Sequence, residues 1–239
     1  RLWNYSDDGF NAAGGGGGVR IINNCWMMPT NKYYWTDGVF ETERNGVKAG
    51  WNSHPITDAP YLWPFPTTHN TLQISNSLVM FAEIAFREGP NNIGYYHNNT
   101  VYKCGLGFES TMEPTVQYPQ RPSYKNNLIH KMTKDNAYGL PYMTWLYGTI
   151  PYDESNNSWV RTGSEPYFQV NTAFTVTDDD FVGLSGSDYA DSLYLTSLFL
   201  APRQSDGSLP ATKPLTLTEG SDLIDAGTRY IAVDVQNVG

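Results

Sequence analysis

Four segments of the chain repeat one design. Ile21-Ile22-Asn23-Asn24-Cys25-Trp26, Leu72-Gln73-Ile74-Ser75-Asn76-Ser77-Leu78, Tyr95-Tyr96-His97-Asn98-Asn99-Thr100-Val101 and Tyr124-Lys125-Asn126-Asn127-Leu128-Ile129 each approach asparagine through apolar or alternating residues and turn apolar again after it. Aligning the second asparagine of each pair with Asn76 gives positions 24, 76, 99 and 127, at intervals of 52, 23 and 28 residues. The first interval would hold two coils with a long loop. Strands that meet at a corner and recur at such spacings are the signature of a solenoid. Asparagine suits the corner because it tolerates left-handed φ/ψ and its amide ties down nearby backbone. Stacked from coil to coil, the amides can also pair along the axis. Asn-rich loops between the strands of a sandwich are the competing explanation, but a parallel β-helix fits the repetition better.

Helix patterns are scarce, and the apolar residues fall in short runs: Val19 to Ile22, Thr71 to Met80, Ile93 to Tyr96, Val101 to Tyr102 and Phe168 to Val176. These read as strands. After Glu113 the pattern weakens, with prolines at 114, 119, 122, 141 and 151 and an aromatic loop from Tyr138 to Tyr152. An apolar run lies near Leu193 to Leu200, and Leu215 to Asp225 reads as strand, turn and short strand. The expectation is an all-β chain: one parallel β-helix domain over residues 1–239, without its N-terminal coils. Residues 1–135 would form regular coils bearing the site. Residues 136–239 would supply irregular loops, C-terminal coils and a cap.

Composition removes several classes of function. Twenty asparagines stand against only 16% charged residues, so polarity comes mainly from uncharged groups. No run approaches the ~20 apolar residues of a membrane helix, so no membrane span is expected. With 15 Lys plus Arg against 24 Asp plus Glu, the chain lacks the basic surface of a nucleic-acid binder. Two cysteines make neither a disulfide scaffold nor a zinc cluster. Cys25 and Cys104 are expected to be buried small hydrophobes. The four histidines form no metal-binding pair, and His97 at a corner reads as structural. A Gly-x-Ser-x-Gly elbow is also missing.

Two segments carry candidate chemistry. Asp7-Asp8-Gly9-Phe10-Asn11 places oxygen donors where they can converge on a hard cation such as calcium, although Asp-Asp-Gly is also a common turn. Lys48 lies in Asn45-Gly46-Val47-Lys48-Ala49-Gly50, where glycine could leave room for a substrate, or the lysine could simply face solvent. Trp35, Trp51 and Trp63 with Tyr33, Tyr34 and Tyr61 could stack on sugars or fill a core. Asp178 to Asp180 could bind a cation or form a solvated turn. Glu41 and Glu43 would have to serve as paired acids if the chain were a hydrolase, and no motif supports them.

Three blocks together resemble the calcium-dependent, right-handed parallel β-helix pectate lyases of polysaccharide lyase family 9. They are Asn4 to Asn11 with Val19 to Trp26; Asn45 to Gly50; and Phe174 to Phe181 with Pro202 to Pro210 and Gly220 to Gly227. The first two stand about forty residues apart and are the more specific. The resemblance implies that Asp7 and Asp8 are calcium ligands and that Lys48 is the general base. Asn11 falls where the family has a third aspartate, which keeps an oxygen but removes a charge. A further aspartate ligand of the family lies upstream of this chain. The implied activity is β-elimination of polygalacturonate or pectin by a secreted or extracellular protein, periplasmic or at the cell surface. A missing N-terminal segment or partner chain would complete the solenoid. The alternative is a non-catalytic β-helix that binds glycan or serves as an adhesin-like stalk.

Overall fold

Side-chain alternation defines the strands and left-handed corners turn them. The structure is a computed structural model describing residues 1–3, 9–12, 19–29, 45–49, 70–88, 92–110, 123–132, 144–146, 153–161, 168–171, 173 and 175–228. Its strands form successive coils of three. The first coil is β1 (Leu2–Trp3), β2 (Phe10–Ala12) and β3 (Val19–Asn23), and the second is β4 (Trp26–Met28), β5 (Asn45–Ala49) and β6 (Asn70–Ser75). The third is β7 (Leu78–Met80), β8 (Ile84–Glu88) and β9 (Asn92–His97); the fourth is β10 (Thr100–Tyr102), β11 (Leu106–Ser110) and β12 (Ser123–Lys125). A fifth follows with β13 (Leu128–His130), β14 (Thr144–Leu146) and β15 (Asp153–Ser155). Equivalent strands pair in parallel into three five-stranded sheets, β1-β4-β7-β10-β13, β2-β5-β8-β11-β14 and β3-β6-β9-β12-β15. This is a right-handed parallel β-helix. An antiparallel pair, β16 (Trp159–Arg161) with β17 (Phe168–Val170), follows. Among the described residues of the run from Phe168 to Val176, Phe168–Val170 are strand.

Because equivalent residues sit one above another, the core is built of columns. Met27, Val79, Val101 and Ile129 succeed each other along the first sheet, all buried. Phe86 stacks on Phe108 with ring centroids 4.9 Å apart, and Tyr96 on Tyr124 at 5.1 Å. Both separations are close to the ~4.8 Å strand spacing, so coil repetition itself brings the rings into stacking distance.

The corners contain two asparagine positions. Asn24, Asn76, Asn98, Asn126 and Asn156 have φ between 51° and 57°, the left-handed conformation that asparagine tolerates. The amides of Asn76, Asn98 and Asn126 form an outer row that starts from Asn23, the residue before the first left-handed corner: Asn76 Nδ2 donates to Asn23 Oδ1 (2.9 Å), Asn98 Nδ2 to Asn76 Oδ1 (3.3 Å) and Asn126 Nδ2 to Asn98 Oδ1 (2.9 Å). The peptide group at Thr228 adds a rung, its N–H donating to Asn126 Oδ1 (2.7 Å) and its carbonyl accepting from Asn126 Nδ2 (2.8 Å).

The next residue faces inward. Asn99 Nδ2 donates to Asn127 Oδ1 (3.0 Å) and Asn127 Nδ2 to Asn157 Oδ1 (2.9 Å), while the same amide nitrogens of Asn99, Asn127 and Asn157 also reach the carbonyls of Ile74, Tyr96 and Tyr124. All three inner asparagines are buried. This corrects the sequence alignment. Asn76 is an outer residue, equivalent to Asn98 and Asn126; Asn99 and Asn127 belong to the inner row, which Ser77 fills in the coil of Asn76. Both adjacent positions accept asparagine, so a doublet does not reveal its own phase. The same row includes Asn156-Asn157, a corner that the four-segment repeat left out.

The chain forms two compact units, one of residues 1–171 with Thr228 and the other of residues 172–227. The second contains a 3-10 turn at Asp178–Asp180 and the helix α1 (Asp188–Leu200), which includes the apolar run near Leu193 to Leu200. In place of the strands expected from Leu215 to Asp225 there is one antiparallel bridge, Phe181 to Leu217, followed by turns. Among the described residues, no helix is long and apolar enough to cross a membrane.

Candidate active site

The second sheet carries the candidate chemistry. Val47, Phe86 and Phe108 occupy one register row and are buried in the core, so alternation puts the next row on the opposite face. Lys48, Arg87 and Glu109 form that row on β5, β8 and β11, and the backbone register continues it to Asn11 on β2 and Trp145 on β14. Lys48 is half-buried on β5, directly beside Asn11 on β2. Just before β2, the Gly9 N–H donates to the Asn45 carbonyl at 2.9 Å, extending the contact between the two motifs. Asn11 and Lys48 are therefore brought together. Asp7 and Asp8 lie outside the described residues, as do His54, His69, Glu41, Glu43 and the tryptophan–tyrosine stretch from Tyr33 to Trp63.

Gly46 has a different role from the one its sequence suggests. A Cβ there would stand 2.5 Å from the Ala85 carbonyl oxygen and 2.7 Å from Val79 Cγ1. The missing side chain leaves room for the neighbouring strand rather than for a substrate. The glycine before Lys48 thus serves close approach of β8 to β5.

Arg87 and Glu109 escaped the sequence reading. The Arg87 Nε stands 2.7 Å from Glu109 Oε2, and both side chains are mostly buried. Lys48, Arg87 and Glu109 lie 39 and then 22 residues apart, so unequal loops erase any periodic signal that would join them.

No group of three or more His, Cys, Asp or Glu among the described residues is arranged to hold a metal ion. The all-oxygen donor set Asp7, Asp8 and Asn11 has the chemistry that calcium requires, and its Asn11 lies on the strand beside Lys48.

Other candidates resolve as structure. His97 is buried, and its Nε2 lies 2.9 Å from Ser123 Oγ. Burial, with help from Lys125 and against the pull of Asp153, lowers its pKa to about 4. His97 is therefore neutral at pH 7, in keeping with a structural role. Ser123 is equally buried, so the pair is closed to substrate. Cys104 is fully buried, its thiol pushed up to about 12 by desolvation, while Cys25 is only partly buried. Asp180 is neither an open cation ligand nor solvated. Its carboxylate is buried and accepts from Thr177 N (2.7 Å), Thr177 Oγ1 (3.0 Å) and Ser221 Oγ (2.7 Å).

Comparison with known proteins accords with this architecture. The chain is 30% identical to pectate lyase L of Dickeya dadantii over 240 residues, covering 96% of this chain and 42% of the relative. Pectate lyase L of Dickeya chrysanthemi is 29% identical over the same span. The chain thus spans less than half the length of these curated relatives. The crystal structure of pectate lyase Pel9A superposes with a TM-score of 0.63 at 25% identity, covering 98% of this chain and 46% of that one. A rhamnogalacturonan lyase shares the fold, with a TM-score of 0.52 at 20% identity over 91% of this chain and 46% of that one. No protein-family model matches. In sequence and in fold, the chain matches the pectate lyases of the Pel9A type.

Proposed function

We propose that this chain carries the catalytic face of a calcium-dependent lyase that cleaves α-1,4-galacturonan, the polygalacturonate of pectin, by β-elimination. The observation that carries the reading is the register of Asn11 on β2 against Lys48 on β5. It puts Asn11, the last residue of the oxygen-donor motif, on the strand next to that of Lys48, which supports a site shared by the two motifs. The match to pectate lyases in sequence and fold supports the same class.

In this mechanism Lys48 acts as the neutral amine. Its Nζ takes the C5 proton of a galacturonate, the C5–H electron pair forms the C4–C5 double bond, and the C4–O bond to the departing chain breaks. The leaving oxygen then takes up a proton. Asp7, Asp8 and Asn11 would hold the calcium ion. When bound, calcium would supply Lewis-acid stabilisation of the charge that builds on the C6 carboxylate as the proton leaves. Half-burial on a sheet limits the motion of Lys48, so proton transfer begins from a fixed position.

A net charge of −9 would repel a polyanionic substrate if it were evenly spread, but it is unevenly distributed. Residues 172–227 hold nine Asp and Glu against two Lys and Arg, whereas the remaining residues hold 15 against 13. The solenoid sequence is nearly neutral, so long-range repulsion of a uronan from it is small. Secretion follows from this reading, because its polymer substrate lies outside the cell.

Ultraviolet absorbance of unsaturated product from polygalacturonate tests the proposal. Calcium should produce signal, chelator should abolish it, and Lys48→Ala should reduce it by about 10²–10⁴-fold, the range for loss of a general base. Cleavage without unsaturated ends would indicate a hydrolase. A folded Lys48→Ala protein as active as its parent would remove Lys48 from the mechanism.

A further inference from the structure

Helix α1 carries an apolar stripe on the side that it does not bury. Tyr189, Leu193 and Leu200 are 77%, 55% and 50% exposed. They stand four and then seven residues apart, so all three fall within about 40° of one another around the helix. The buried residues Asp191, Leu195 and Phe199 lie roughly opposite. Scattered apolar side chains on a surface need no explanation, but three aligned on one short helix do. The flanks of the stripe are closed to a polar ligand. Ser192 Oγ donates to the Asp188 carbonyl (2.6 Å) and Ser197 Oγ to the Tyr194 carbonyl (2.7 Å), so these hydroxyls turn back onto their own helix. Side chains this small also let a second backbone come close. The surface suits an apolar partner better than a sugar, whose hydroxyls need hydrogen bonds.

Charge decides which apolar partner fits. Residues 172–227 hold nine Asp and Glu against two Lys and Arg, so a second copy of this unit is repelled, and so is a uronan. The ends of the helix point the same way. Asp188 and Asp191 stand in the first turn of α1, whereas the last turn, at Leu200, has no basic residue to offset the negative end of the helix dipole. Arg203, the next base along the chain, donates to the Gly207 carbonyl (2.7 Å). We propose that the outer stripe of α1 docks a basic amphipathic helix of another protein. Its apolar face lies on Tyr189, Leu193 and Leu200, and its Lys or Arg residues meet the acidic unit and the C-terminal end of α1. Spacings of four and seven residues are those of a coiled-coil seam, so a helix is the form of partner that matches. The inference is independent of the lyase reading, because none of these residues belongs to the candidate site.

The test uses the full chain and a labelled three-heptad peptide with Leu at its core positions and Lys flanking them, beside a twin carrying Glu in place of Lys. Fluorescence anisotropy should show the Lys peptide binding, more weakly as salt is added, and the Glu peptide not binding. Leu193→Ser and Leu200→Ser should each weaken binding about tenfold. Both side chains already stand in water, so the thermal midpoint should change little. If either variant fails to fold, Tyr189→Ser makes the same test at the most exposed position of the stripe. Equal binding of the two peptides overturns the proposal, because charge would then not select the partner. So does Lys-peptide binding that survives all three substitutions, which would mark a diffuse attraction to the acidic unit. Dimerisation of the parent in sedimentation, abolished by Leu193→Ser, would assign the stripe to a second copy and overturn the proposal too. Binding of neither peptide has the same consequence.

Discussion

The solenoid and the unit at residues 172–227 both bury polar side chains, but they use opposite chemistry. In the solenoid the inner corner row holds three buried amides, Asn99, Asn127 and Asn157, and the hydroxyl of Ser77. In the other unit the buried groups are carboxylates: Asp180 is held by Thr177 and Ser221, and Asp191 accepts from Ser185 N and Ser185 Oγ, both at 2.7 Å. An amide donates and accepts, so each rung can satisfy the next and the pattern extends with the coils. An ionised carboxylate only accepts, and a second one stacked against it would repel. It must be enclosed by hydroxyl and N–H donors of its own. Repetition therefore selects asparagine, while a single turn can use aspartate.

Exchanging the chemistries should break each region in its own way. The largest effect is expected at Asn127, whose loss removes the acceptor of the Asn99 backbone N–H and amide and the donor to the Tyr96 carbonyl. Asn127→Ala should destabilise by about 3–5 kcal/mol in urea unfolding, with several buried groups left unsatisfied. Asn127→Asp should be at least as harmful at neutral pH, because it opposes a carboxylate oxygen to that carbonyl.

Next comes His97. Its folded pKa of about 4 lies below the ordinary 6.5, so the unfolded chain binds the proton first as pH falls. Its contribution to stability is complete above about pH 6.5 and lost progressively towards pH 4, roughly 3 kcal/mol across that window. His97→Gln should flatten this part of the stability profile; an identical slope in the variant would show that other groups account for it.

A smaller effect is expected from the reciprocal exchange. Asp180→Asn turns one acceptor into a donor facing Thr177 or Ser221 and should cost about 1–3 kcal/mol, read as a lower thermal midpoint. The smallest effect belongs to the outer row. Asn98→Ala should cost about 1–2 kcal/mol, mostly for the left-handed backbone, and Asn98→Gly should lie closer to the parent. Equal losses at Asn98 and Asn127 would show that burial does not separate the two rows.

The parts of the fold visible in the sequence were those in which one residue type has one task. Asparagine at left-handed corners marked the coils, and apolar alternation marked the strands between them. The phase of the doublets was hidden because adjacent outer and inner positions both take asparagine. Helix α1 was hidden for another reason. Tyr189, Leu193 and Leu200 are exposed while Asp191 is buried among Leu195 and Phe199, so hydrophobicity does not follow burial around the helix. At the site, motif spacing singled out Lys48 and Asn11, and the register set them side by side. Arg87 and Glu109 carry no local motif; only the number of loop residues between coils decides what stands beside them.

The outer asparagine row meets the main chain at Thr228. That rung is written in the peptide bond, so it is indifferent to the identity of the side chain. Mutation can erase every other rung one residue at a time, but at 228 only proline removes the N–H on which the contact depends. A position that looks variable in a comparison of sequences can thus be fixed in architecture, and its constraint would surface as a single forbidden residue rather than a preferred one.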